Sequence, residues 1–134
     1  MAPEQNTSGQ LGKIMRMEIY ESGPITIVMP YDRRMDAACV IAFKATMHDI
    51  SESGVRHILL DMSRIEFMDS SGLGALIAVL KKMSPDRKFE VCGLTARVQK
   101  VFDLTRMDRV FNIYKTVEDA IPGQRKKVGI DGVQ

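Results

Sequence analysis

The hydrophobic period along this chain switches between two and about 3.6, and that switching restricts the fold more than any other feature. From Ile14 to Tyr20, Met15, Met17 and Ile19 alternate with Arg16 and Glu18, the pattern of an outer strand with one buried face. Ser22, Gly23 and Pro24 supply a turn, and Ile25, Ile27 and Met29 resume the alternation up to Pro30, which predicts an antiparallel hairpin. Val40, Phe43, Met47 and Ile50 then recur at helical offsets behind Asp36, whose carboxylate is suited to capping a helix, with Gly54 as its stop. Ile58, Leu59 and Leu60 form an unbroken apolar run too short for a helix, as in a central strand covered on both faces.

After a short polar link, Phe67 and Met68 lead into Asp69, Ser70, Ser71 and Gly72. Leu73, Leu76, Ile77 and Leu80 follow at i, i+3, i+4 and i+7, so one apolar stripe faces the sheet until Ser84 and Pro85 end the helix. Phe89 and Val91 mark a strand, Thr95 caps a helix carrying Val98, Val101 and Phe102, and Phe111 and Ile113 mark a last short strand. Thr116 with Asp119 opens a closing helix that Pro122 and Gly123 terminate. This order predicts an α/β fold: a sheet that begins with an antiparallel hairpin and continues with parallel neighbours.

A chain of 134 residues fits one domain, and 45% hydrophobic with 27% charged residues is the usage of a globular protein. No run approaches the roughly 20 apolar residues of a spanning helix, and MAPEQNTSGQLG lacks a secretory apolar stretch, so a cytoplasmic location without membrane insertion is expected. Residues 1–12 and 123–134 show no periodicity and are expected to be flexible ends around a domain at 13–122. Arg125, Lys126 and Lys127 concentrate the formal charge of +2 in the last segment, which leaves a nearly neutral body and little basis for direct nucleic-acid binding. Cys39 and Cys92 form no CxxC pair and read as buried thiols, while His48 and His57 look unpaired, so no metal site is indicated. GxxxxGK[ST] and GxGxxG are both absent, and no cofactor is expected.

Asp69, Ser70 and Ser71 stand where a loop feeds a helix, so the free amides of its first turn and the local dipole favour an oxygen-rich group. Two readings are open. Asp69 or Ser70 caps the helix, worth about 1 kcal/mol. Alternatively, one hydroxyl is a phosphorylation site, because a kinase can reach a surface junction and no catalytic base is visible beside it. A phosphate adds roughly −1.5 to −2 charges. Covering it with a partner that offers no matched cation costs on the order of several kcal/mol. Moving a population from mostly bound to mostly free takes about 5.5 kcal/mol, which one well-covered phosphate is able to supply. The output of such a junction is binding, not turnover.

The segment MDSSGLGALIAVLKKM, residues 68–83, resembles the phosphorylation-site helix of the STAS family, the bacterial anti-sigma factor antagonists. RMDAACVIAFKATM, residues 34–47, is similar to the family's stretch around its first helix, with Asp36 matching its aspartate, and residues 97–121 resemble its C-terminal helix, strand and helix. The resemblance spans about residues 13–121. It implies the STAS, SpoIIAA-like fold: a mixed sheet of about five strands with an N-terminal antiparallel hairpin and four helices. It also implies phosphorylation of Ser70, directly after Asp69, with Ser71 as the neighbouring hydroxyl. Asp36, Asp69, Ser70, Ser71 and Gly72 would form the partner-binding face, Gly72 by letting a partner approach the helix start. For Asp36, a capping role and a role in the partner surface stand side by side. Arg33 occupies a place where family members commonly carry Gly.

What the resemblance implies is a partner switch. The unphosphorylated monomer binds an anti-sigma factor that is also a serine kinase, a histidine-kinase-like ATPase, and thereby frees a sigma factor. Phosphorylation ends the capture and a serine phosphatase resets it. A STAS accessory domain docking on a transporter or other signalling assembly is the alternative. A serine hydrolase is disfavoured, because no GxSxG elbow surrounds Ser70.

Overall fold

The computed structural model describes residues 15–121. Its elements, in chain order, are β1 (Met17–Ser22), β2 (Ile25–Pro30), β3 (Arg34–Met35), α1 (Val40–Glu52), β4 (His57–Asp61) and β5 (Phe67–Met68). They continue with α2 (Ser70–Lys82), β6 (Lys88–Cys92), α3 (Ala96–Thr105), a 3-10 turn at Met107–Arg109, β7 (Ile113–Tyr114) and α4 (Val117–Ala120). The expected flexible ends and the basic cluster lie outside the described residues, as do Pro122 and Gly123.

The main sheet has the order β1-β2-β4-β6-β7. β1 and β2 form the expected antiparallel hairpin, with Met17 opposite Pro30 and Ser22 opposite Ile25. Its turn requires Gly23, which sits at φ +60°, in the left-handed region that side chains disfavour. β2, β4, β6 and β7 are successive parallel neighbours. Alternation sends Ile58, Leu60, Phe89 and Val91 into a core shared with Phe43, Met47, Leu76, Val79, Val98 and Phe102. Ile27, Leu59, Cys92 and Tyr114 face the other way, against Ala120 and Val117. β4 is therefore covered on both faces, as its unbroken apolar run requires. Cys39 and Cys92 are both buried and neither forms a disulfide.

Several details depart from the sequence pattern. β1 starts at Met17, and Ile19 is 48% exposed, because this strand is the edge of the sheet. β2, flanked by β1 and β4, buries both faces instead of one. Phe111 is buried but lies before β7. Thr95 holds the N-cap position of α3, yet its hydroxyl donates to the Ile65 carbonyl at 2.9 Å and does not cap the helix. His57 is not unpaired: its Nε2 lies 2.6 Å from Glu90 Oε1, a buried contact between neighbouring strands. Glu90 Oε2 in turn accepts from Asn112 Nδ2 at 2.9 Å and from the Tyr114 hydroxyl at 3.3 Å. Among the described residues no helix is long and apolar enough to cross a membrane.

Candidate functional site

A second, two-stranded sheet positions the site. β3 pairs in parallel with β5, Arg34 opposite Phe67 and Met35 opposite Met68. Alternation turns Met35 and Met68 into the core and leaves Arg34 and Phe67 outside. The Asp69 amide reaches the Met35 carbonyl at 3.4 Å, so Asp36 and Asp69 leave the ends of neighbouring strands side by side. No periodicity foretells this pair, because two residues are too short to show one.

Asp69 is the cap of α2. Its backbone is extended, and its Oδ1 accepts from the Gly72 amide at 3.0 Å. Since the carboxylate does this work, the Ser70 hydroxyl is not needed for capping; Ser70 is exposed in the first turn, and its hydroxyl makes no hydrogen bond among the described residues. Ser71 is half-buried. Gly72 is buried, and a β-carbon there would overlap the Met35 carbonyl oxygen. Its missing side chain thus admits β3 from inside the protein. The buried face of α2 runs through Gly72, Ala75, Leu76 and Val79, one residue away from the expected stripe, and leaves Leu73, Ile77 and Leu80 half-covered.

Asp36 does not cap α1, whose N-cap is Cys39 without a side-chain bond. It builds the preceding turn: Oδ1 accepts from the Ala38 amide at 3.1 Å and its carbonyl accepts from the Cys39 and Val40 amides. Its Oδ2 lies 3.1 Å from Arg34 Nε, and the Arg34 guanidinium sits 4.2 Å from the centre of the Phe67 ring. The candidate site thus joins an exposed hydroxyl at the N-terminus of α2 to the strand end that carries Asp36, whose carboxylate holds an arginine stacked on an aromatic ring.

A cleft of about 270 Å³ runs between α1 and α2, but it is lined by residues such as Lys44, Met47, His48 and Lys82 and by none of the residues expected in the site. His57 is committed to Glu90. Among the described residues, no cluster of three or more His, Cys, Asp or Glu side chains could hold a metal ion.

The chain is thus a hairpin-led mixed sheet with four helices that presents an exposed serine at the mouth of its second helix. Residues 16–120 match the STAS domain, and the chain belongs to the STAS family. A Thermotoga maritima protein named "Putative anti-sigma factor antagonist" is 30% identical over 105 residues, covering 77% of this chain and 92% of that one. The Anti-sigma-F factor antagonist RsfB of Mycobacterium tuberculosis is 24% identical over 98 residues, 73% of this chain and 80% of its own. The crystal structure of an anti-sigma factor antagonist from Mycobacterium paratuberculosis superposes with a TM-score of 0.75 at 21% identity, over 84% of this chain and 95% of that chain, a likeness of fold.

Proposed function

We propose that this chain is an anti-sigma factor antagonist: a non-enzymatic cytoplasmic protein whose unphosphorylated form captures an anti-sigma factor that is also a serine kinase. Capture frees a sigma factor, phosphorylation of Ser70 ends it, and a phosphatase restores it. The observation that carries this reading is the division of labour at the head of α2, where Asp69 caps the helix and leaves the Ser70 hydroxyl exposed. The names of its relatives support the general role. A structural neighbour, the Bacillus protein SpoIIAA, has been solved in a phosphorylated form.

The partner face takes in Asp36, Asp69, Ser70 and Ser71. Gly72 supports it from beneath by letting β3 and α2 meet. A neutral hydroxyl is covered at little cost, whereas a buried dianion without a matched cation costs several kcal/mol, on the scale of the roughly 5.5 kcal/mol that empties a complex. The protein works as a monomer and needs no cofactor, ATP being the kinase's substrate.

Incubation with the cognate kinase and ATP, followed by intact-mass measurement, tests the reading. One phosphate per chain is expected, lost in Ser70→Ala. Ser70→Asp weakens kinase binding and Ser70→Ala keeps it. Phosphate retained by the Ser70→Ala protein defeats the assignment.

A further inference from the structure

Arg34 is held at two points although it is exposed. Its guanidinium lies on the Phe67 ring, 4.2 Å from the centroid, and is tied to Asp36 through Nε at 3.1 Å. Among the described residues neither terminal nitrogen has a hydrogen-bond partner, and the side chain is 58% exposed. A planar fork of N–H donors is therefore oriented in advance and left open to solvent.

The backbone carries this fork on the strand that abuts the head of α2. Phe67, directly opposite Arg34 across the β3–β5 pair, lies three residues before Ser70. Met35, next to Arg34, touches both the Asp69 amide and the Gly72 backbone at the start of α2. A phosphate on Ser70 would enter a rim that already holds the Asp36 and Asp69 carboxylates, and the exposed cation carried by the two-stranded sheet is Arg34.

We propose that Arg34 is the built-in counter-ion of a phosphate on Ser70, its terminal nitrogens pairing with phosphate oxygens while the guanidinium stays on Phe67. The proposal rests on the reading of Ser70 as the modified residue. A dianion with three acceptor oxygens outcompetes a single carboxylate for a guanidinium, because paired charge-assisted bonds are the strongest available here. Asp36 keeps the Ala38 amide and yields its arginine. Modification then alters two points of the surface: a phosphate appears at Ser70, and Asp36 loses its arginine; with the dianion and both carboxylates set against one guanidinium the patch stays net negative, so Arg34 alone does not supply the match that covering it by a partner requires.

The test uses the full chain with phosphoserine introduced at position 70 during translation, so that it does not depend on any kinase. Phosphorus NMR follows the second ionisation of the phosphate against pH. Asp36 and Asp69 oppose the dianion, and the α2 N-terminus and Arg34 favour it. The midpoint is expected about half a pH unit or more lower in the parent chain than in Arg34→Gln, whose helix terminus and carboxylates are unchanged. Asp36→Asn, which removes the competitor, lowers it further. Should Arg34→Gln fold poorly, the Arg34 Nε–H resonance of the parent chain decides, since it must shift when phosphoserine replaces Ser70. Equal midpoints in parent and Arg34→Gln, or an unmoved resonance, overturn the proposal and leave the kinase experiment intact. A kinase that never modifies Ser70 overturns the functional reading and leaves this titration unchanged.

Discussion

Gly72 of α2 faces the carbonyl of Met35 on β3 so closely that a β-carbon at position 72 would overlap the oxygen and crowd the Met35 side chain. This approach holds the head of α2, with Ser70, against the two-stranded sheet at the strand end that leads into Asp36. The geometry of the site rests on an atom that the sequence omits.

Gly72→Ala is therefore expected to destabilise the fold by about 1–3 kcal/mol, the usual range for forcing a methyl group into a filled interior. The denaturant midpoint should fall with an unchanged slope. An unaltered midpoint would show that α2 can move away from β3 at no cost.

Asp69→Ala removes the bond to the Gly72 amide and should cost about 1 kcal/mol, whereas Asp69→Asn keeps an acceptor and should cost less. Equilibrium unfolding of the two variants checks the order. If Asp69→Ala matched the parent chain, the cap would be held by something other than this carboxylate.

His57 and Glu90 form a buried pair between β4 and β6, so removing the imidazole strips a buried carboxylate of its neighbour. His57→Ala is expected to cost about 3 kcal/mol. A double-mutant cycle with Glu90→Gln should return a coupling above about 1 kcal/mol, and additive effects would contradict the pairing.

Burial, foremost, and then the Asp61 carboxylate push the Cys92 thiol up from its ordinary range. The unfolded chain ionises this thiol near its ordinary value of about 8.5, while the native chain keeps it protonated to higher pH. Stability is thus untouched below that value and falls as the pH rises from it toward the native one. Unfolding midpoints measured from neutral pH upward should decline more steeply for the parent than for Cys92→Ala, by up to about 1.4 kcal/mol per pH unit. Parallel alkaline slopes would refute the assignment.

Much of the architecture is legible in local patterns. The alternation around Gly23, the unbroken Ile58–Leu60 run and the helical offsets of Phe43, Met47 and Leu76 each report a period that the backbone imposes over several residues. The serine motif is legible for a similar reason: a cap, two hydroxyls and a glycine in a row describe a helix entrance wherever they occur. The pairing of His57 is not legible in the sequence because its partner lies 33 residues away on another strand. Asp36 has the sequence signature of a cap, an acidic residue shortly before an apolar helix, whereas here the chain makes a further turn first.

The sequence by itself determined the order of strands and helices, the hairpin, the family and the serine at the head of α2, because each follows from contacts between near neighbours or from a contiguous motif. Tertiary structure alone decided that two dipeptides, Arg34–Met35 and Phe67–Met68, would pair as strands. It also chose the face of α2 that is buried and set Arg34 on Phe67 within reach of Asp36. Strands of two residues have no period to read, and their pairing is stabilised by groups brought together only when the chain closes on itself.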